Sequence, residues 1–220
     1  MTTLDHDETE DIERLRCLPP RLRVSFALLT ALRILPTYRR FHERTGYGAP
    51  AALQALVEQL WQDIVGRQPM TEGEVRAAVD RAMELVPSEE DIWDEESQPY
   101  AEDAAAALAY AFRTRLTGDP QEAIWAARRV YEAADHFALG TCGIAPGGRE
   151  NEHAILAHPS VQAELARQKR DLEDLSELAR AEMRDSRMLL EMRERSEGEA
   201  ESFFEVDPPN GTSGSSVPVT

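Results

Sequence analysis

Residues 100–116, YAEDAAAALAYAFRTRL, decide the fold. Alanine is the best helix former and adds almost no bulk, so a helix this rich in it can be approached closely from several sides. Ala101, Ala104, Ala105, Leu108, Phe112 and Leu116 fall on one apolar stripe, and Ala107, Tyr110 and Ala111 widen it around most of the circumference. Pro99 suits the first turn of this helix and Gly118 its end. The pattern predicts the central helix of an all-α bundle, with neighbours packed on several sides.

The flanking sequence supplies those neighbours. Upstream, Thr71-Glu72-Gly73-Glu74 reads as a capping box that starts a helix with Val75, Ala78, Val79, Ala82, Met83 and Val86 on one side. Pro50 opens another, where Leu53, Leu56, Val57, Leu60, Trp61 and Ile64 share a face and Gly66 is the stop. Leu18-Pro19-Pro20 leads into a helix with Leu22, Phe26, Leu29, Leu32 and Leu35 on its stripe and Arg21, Arg23 and Arg33 off it. Pro36 is expected to kink this helix or start another, which ends at Gly46. Residues 1–10 read as an acidic, disordered lead-in. Downstream, Asp119-Pro120-Gln121-Glu122 combines a cap, a first-turn proline and a first-turn glutamate, ahead of Ile124, Ala127, Val130, Tyr131, Ala134 and Phe137. Residues 140–149 form a glycine-rich connection, and 150–157 a short helical turn. Pro159 begins the last helix, whose stripe (Val161, Leu165, Leu172, Leu175, Leu178) frays after Ala179. The expectation is one bundle of about seven helices over 11–180, a helix end projecting over 181–197, and a disordered tail over 198–220. No strand pattern or long repeat is present.

Charge narrows the function classes. Across 220 residues, 41 acidic side chains face 24 basic ones, a formal net charge of −17. Such a balance argues against nucleic-acid binding, where basic side chains supply the affinity, and suits a basic partner. No run reaches the ~20 apolar residues that span a bilayer. The start, MTTLDHDETEDIER, has the composition of neither a secretory signal nor a transit peptide. Cys17 and Cys142 carry no motif spacing and read as reduced thiols of a cytoplasmic protein.

Several short segments, in this order, resemble the YjaG-like family of bacterial helical proteins, a domain of unknown function. They are Leu18-Pro19 with the helix after it, Pro36-Thr37-Tyr38 with Phe41, and Thr45-Gly46-Tyr47-Gly48. Leu60-Trp61, Val86-Pro87-Ser88, Tyr100 through Ala107, and His158-Pro159-Ser160-Val161-Gln162-Ala163-Glu164-Leu165 complete the series. The resemblance covers roughly 18–178 and implies an all-helical fold without assigning catalytic residues. The 140–149 segment and everything after about Arg180 depart from it.

Candidate chemistry is sparse. Glu132 and His136 lie four apart on one helix, and Glu150-Asn151-Glu152-His153 contains a Glu-x-x-His. A di-iron bundle needs two such motifs and two further glutamates, so solvated helix faces explain these residues better and no metal or cofactor is expected. Cys142, between glycines, has no base fixed beside it and reads as a plain loop cysteine. Asp103 suits the positive end of the central helix. Glu89, Glu90, Asp91, Asp94, Glu95 and Glu96 form an acidic loop around Ile92 and Trp93, a surface for a basic protein partner. Phe203 and Phe204, two aromatics in a polar tail, form a candidate docking motif. The reading is a non-catalytic interaction module of adaptor, regulator or inhibitor type. The alternatives are an enzyme or metal protein using the helix-borne Glu and His residues, and a structural helical oligomer.

Overall fold

The computed structural model describes residues 3–88, 94, 96–142, 148–181 and 186–201, and among these the regular structure is all α-helix. In order come α1 (Glu8–Arg16), α2 (Pro20–Thr45), α3 (Pro50–Ile64), α4 (Glu72–Glu84) and α5 (Gln98–Thr117). They are followed by α6 (Pro120–Cys142), α7 (Arg149–Leu156), α8 (Pro159–Arg180) and α9 (Ser186–Glu201). The local start signals act as their chemistry requires. The Thr71 hydroxyl accepts from the Glu74 backbone N–H while the Glu74 carboxylate accepts from the Thr71 N–H. Asp119 accepts from the Gln121 N–H at the start of α6.

The alanine-rich helix α5 lies against α2, α3, α4 and α6. Ala101, Ala104, Ala105, Ala107, Leu108, Ala111 and Phe112 are wholly buried. Small side chains on every face let three long helices close around it, as the stripe predicts. Pro36 neither ends nor restarts α2, which runs unbroken past it to Gly46, a left-handed residue at φ 72°. Just beyond, Tyr38 donates its hydroxyl to the Leu85 carbonyl at 2.8 Å, joining α2 to the end of α4. Gly48 (φ 83°) passes so close to that ring that a Cβ would sit 2.9 Å from the Tyr38 oxygen. The Pro36-Thr37-Tyr38 and Thr45–Gly48 segments are thus one packing unit.

Three features differ from the sequence expectation. The lead-in is docked over its described part: the Gln162 carboxamide accepts from the Leu4 N–H (2.7 Å) and donates to the Leu4 carbonyl (2.9 Å). His6 stacks on Tyr131 with ring centres 4.0 Å apart, and Asp7 caps α1, which starts at Glu8. The C-terminal segment does not project. It returns as α9 against α2, burying Leu189, Met192 and Ala200, so the bundle extends to 201 and has nine helices among the described residues. Met83, on the predicted inner side of α4, is about half exposed.

What recruits α9 is a charged seam that looks like a solvated face in sequence. Arg33 of α2 is fully buried. Its guanidinium donates to both oxygens of Glu164 (3.1 and 2.9 Å) and to Asp171 (2.6 Å), both on α8 and both fully buried. Burial works against the charged guanidinium, but Glu164 and Asp171 outweigh it and hold its pKa above the ordinary value. Gln168 donates to Glu164 (2.9 Å) and to the Ala127 carbonyl (3.2 Å). From α9, Arg195 donates to the other oxygen of Asp171 (2.9 Å) and to Asp174 (2.7 Å), and Glu199 pairs with Arg170. Arg193 reaches Glu58 on α3 and lies over the Trp61 ring. Buried carboxylates need such opposite charges and N–H donors to replace water.

Candidate partner-binding face

The carboxylates singled out by sequence lie along the start of α5 and the middle of α6. Asp94 and Glu96 precede α5, and both accept from Arg44 near the end of α2. Arg44 Nε lies 3.0 Å from Asp94, and its Nη2 2.7 Å from Glu96. Asp94 is also bonded by the Ser97 hydroxyl. The described part of the acidic loop is therefore anchored to the bundle through Arg44 rather than standing free of it. Ser97-hydroxyl hydrogen bonding, then Arg44, hold the Asp94 carboxyl below the ordinary range.

One turn into α5, Asp103 is largely buried, and that burial pushes its carboxyl up to about 7 even though Arg129 of α6 lies 3.3 Å away. Glu132 and Glu102 add repulsion in the same direction. Arg129 pairs with Glu132 as well. Tyr100 is half-buried, and burial with nearby Asp103 and Glu96 drives its hydroxyl to about 12, so it stays protonated at neutral pH. The Tyr100 ring meets His136 edge-on at 5.3 Å. Further along, Asp135 is raised by burial, and Glu8 pairs with Arg128 beside His6 and Tyr131. Between α2, α5 and α6, Thr37, Arg40, Arg44, Tyr100, Phe137 and Thr141 line a cleft of about 460 Å³. The carboxylates of this face outnumber Arg44, Arg128 and Arg129, which pair with them, while the cleft itself carries Arg40 and Arg44 against the carboxylate of Glu96. Elsewhere most arginines are also ion-paired, some inside the bundle, as Arg33 is, and others on its surface, as Arg81 is.

A family model, described as "Protein of unknown function (DUF416)", matches residues 11–203. The chain belongs to the DUF416 family. It is similar to the crystal structure, at 1.91 Å resolution, of a DUF416 family protein from Shewanella baltica OS155. The TM-score is 0.72 and the identity 19%, over 84% of this chain and 92% of that one, a likeness of fold. No curated protein matches. The DUF416 match takes in most of α1 and all of α9, so the segment after Arg180 belongs to the family pattern, contrary to the narrower resemblance read over 18–178.

In this DUF416 chain the Glu and His residues weighed as metal or acid–base groups do not meet. Glu132 is paired with Arg129 and His136 packs on Tyr100, while Glu150 and His153 are exposed on α7. Among the described residues no three His, Cys, Asp or Glu side chains converge as metal ligands would, and no helix is long and apolar enough to cross a membrane. Cys17 is a free, exposed thiol. Glu89, Glu90, Asp91, Ile92, Trp93, Glu95, Phe203, Phe204 and the Cys142 side chain lie outside the described residues.

Sequence reasoning missed three residues. Arg33, four residues from Leu29 and seven from Phe26, falls in register with the apolar stripe of α2 rather than off it, and a charge at such a position is the signal of a buried pair; Arg44 gives no signal in one dimension. His158 gave one: it directly precedes Pro159 and Ser160. Its ring Nδ1 accepts from the Ser160 N–H (3.3 Å), taking the role of an N-cap, and burial lowers its pKa.

Proposed function

We propose that this chain, a YjaG-like member of the DUF416 family, is a non-catalytic interaction module of adaptor, regulator or inhibitor type, working in the cytoplasm. Its acidic face takes a basic protein partner. The observation that carries this reading is the charge distribution: carboxylates outnumber cations from Asp94 through Asp103 and across α6, and the arginines nearest them, Arg44 and Arg129, are already paired. Glu89, Glu90, Asp91 and Glu95 extend that run in sequence, so the partner surface is assigned to 89–96 with the start of α5. Phe203 and Phe204 provide a second, apolar contact. Such a surface speeds encounter with a cationic protein in a way that weakens as salt rises.

The test is a pull-down from bacterial cytoplasmic extract with the wild-type chain and with Glu89, Glu90, Glu95 and Glu96 all changed to lysine. Basic proteins retained by the wild type, lost from the variant and eluted by salt support the reading. Identical retention by both chains contradicts it.

Asp103 favours a second reading. A carboxyl raised to about 7 beside Arg129 and a protonated Tyr100 has the properties of a general acid–base group. Metal analysis of chelator-free protein tests the other form of that alternative, a metal protein using Glu132, His136, Glu150 and His153: stoichiometric iron, manganese or zinc would favour it.

A further inference from the structure

The start of α2 carries a different kind of charge from the acidic face. Pro20, Arg21 and Val24 of α2, Asp63 and Ile64 of α3, Pro69, and Thr114 and Arg115 of α5 enclose a cavity of about 300 Å³. Its one carboxylate is fully engaged. Asp63 accepts from Arg115 Nε (2.5 Å) and Nη2 (3.2 Å) and from the Met70 backbone N–H (2.7 Å), and its side chain is 5% exposed. Arg115 Nη2 also donates to the Met70 carbonyl (3.3 Å), and the Thr114 hydroxyl to that of Tyr110 (2.9 Å).

Arg21 stands apart from this network. Among the described residues its guanidinium makes no ion pair or hydrogen bond, and its Nε is buried without an acceptor. Arg23, two residues on, shows the contrast: it donates to the carbonyls of Leu15, Leu18, Arg16 and Gly118. The first turn of α2 has no acidic residue either, so the positive end of a 26-residue helix adds to the Arg21 charge. Two guanidinium groups and one carboxylate leave the cavity with one net positive charge, in a chain whose formal charge is −17. A guanidinium presents planar N–H donors that match an oxyanion. The remaining walls, Pro20, Val24, Ile64 and Pro69, are apolar.

We propose that this cavity is a binding site for a small oxyanion with an apolar body, a monocarboxylate or phosphate monoester whose charged head pairs with Arg21. Arg115 is fixed by Asp63 and lines the same space, adding its positive charge to that of Arg21; the apolar walls receive the body. The site is independent of the acidic face and of any protein partner. No bond is made or broken: the ligand exchanges water for guanidinium N–H groups.

Calorimetric titration of the full chain tests this with four probes: benzoate, phenyl phosphate, inorganic phosphate and uncharged benzamide. Benzoate or phenyl phosphate should bind with 1:1 stoichiometry, and which of the two binds more tightly identifies the head group. Inorganic phosphate and benzamide should bind at least about tenfold more weakly, because each lacks half of the recognised chemistry. Arg21→Gln should weaken the better probe about tenfold or more, and Arg21→Lys less, with far-UV circular dichroism unchanged in both. Arg21 makes no side-chain hydrogen bond or ion pair among the described residues, and the unchanged circular dichroism checks that the variants fold. The proposal fails if neither organic anion binds at about 10 mM, or if Arg21→Gln binds the better probe as tightly as wild type. It also fails if inorganic phosphate or benzamide equals that probe.

Discussion

Two regions of the molecule use the same side chains to opposite ends. In the seam between α2, α8 and α9, the fully buried Arg33 and the part-buried Arg195 meet the buried carboxylates of Glu164 and Asp171, each of whose oxygens faces an N–H donor. On the face formed by α5 and α6, Glu96, Asp103 and Glu132 meet fewer arginines and border solvent or a cleft. Charge in the first region fixes where α9 lies; charge in the second is less fully paired, which is what the proposed partner surface rests on. The difference is one of stakes. Removing one member of a buried, balanced set strands the others, whereas a surface carboxylate can turn to water.

Arg33→Ala sharpens the comparison most. It leaves Glu164 and Asp171 buried without their shared cation and should destabilise the protein by about 3–5 kcal/mol, read from urea denaturation. A loss near zero would mean that water enters the seam readily. Leu108→Ala measures the apolar counterpart. Leu108 is fully buried on the alanine-rich helix, so about 2–5 kcal/mol should be lost, the larger values if the surroundings do not collapse around the gap. Arg195→Ala removes one of two cations from Asp171 and should cost about 1–3 kcal/mol. It should also make α9 the first segment cut in limited proteolysis; unchanged cleavage would deny the pair a role in docking α9.

The effect of Asp103 depends on pH. Its carboxyl sits at about 7 in the fold against an ordinary 3.8, so the folded state binds this proton more tightly than the unfolded chain does. The stability it contributes is fully present below about pH 4 and is lost as pH rises through about 7. Asp103→Asn should flatten the fall in urea midpoint between those limits. An unchanged slope would show that the acidic face does not hold this group protonated.

Much of the fold was legible because apolar periodicity records burial directly. The α5 stripe, the capping box at Thr71 and the Asp119 start reappear where the pattern puts them. The seam was hard to read, because Glu164, Gln168 and Asp171 recur on α8 at the four- and three-residue spacings of a solvated face. Only the distant Arg33, 131 residues from Glu164, turns that face inward. For the same reason the ragged stripe after Ala179 reads as a projecting end, although Leu189, Met192 and Ala200 are enough apolar contact once Arg195 is anchored. At the candidate face the sequence located the carboxylates but not Arg44, which lies about 50 positions from Asp94 and decides how that loop is held.

The most direct test of the division between structural and available charge is urea denaturation of Arg33→Ala beside the chain with Glu89, Glu90, Glu95 and Glu96 changed to lysine. The four-lysine chain should lose no more than about 0.5 kcal/mol per changed residue, while Arg33→Ala loses about 3–5 kcal/mol. A four-lysine chain that unfolds as readily as Arg33→Ala would contradict the account, because the acidic loop would then be a part of the fold rather than a surface for a partner.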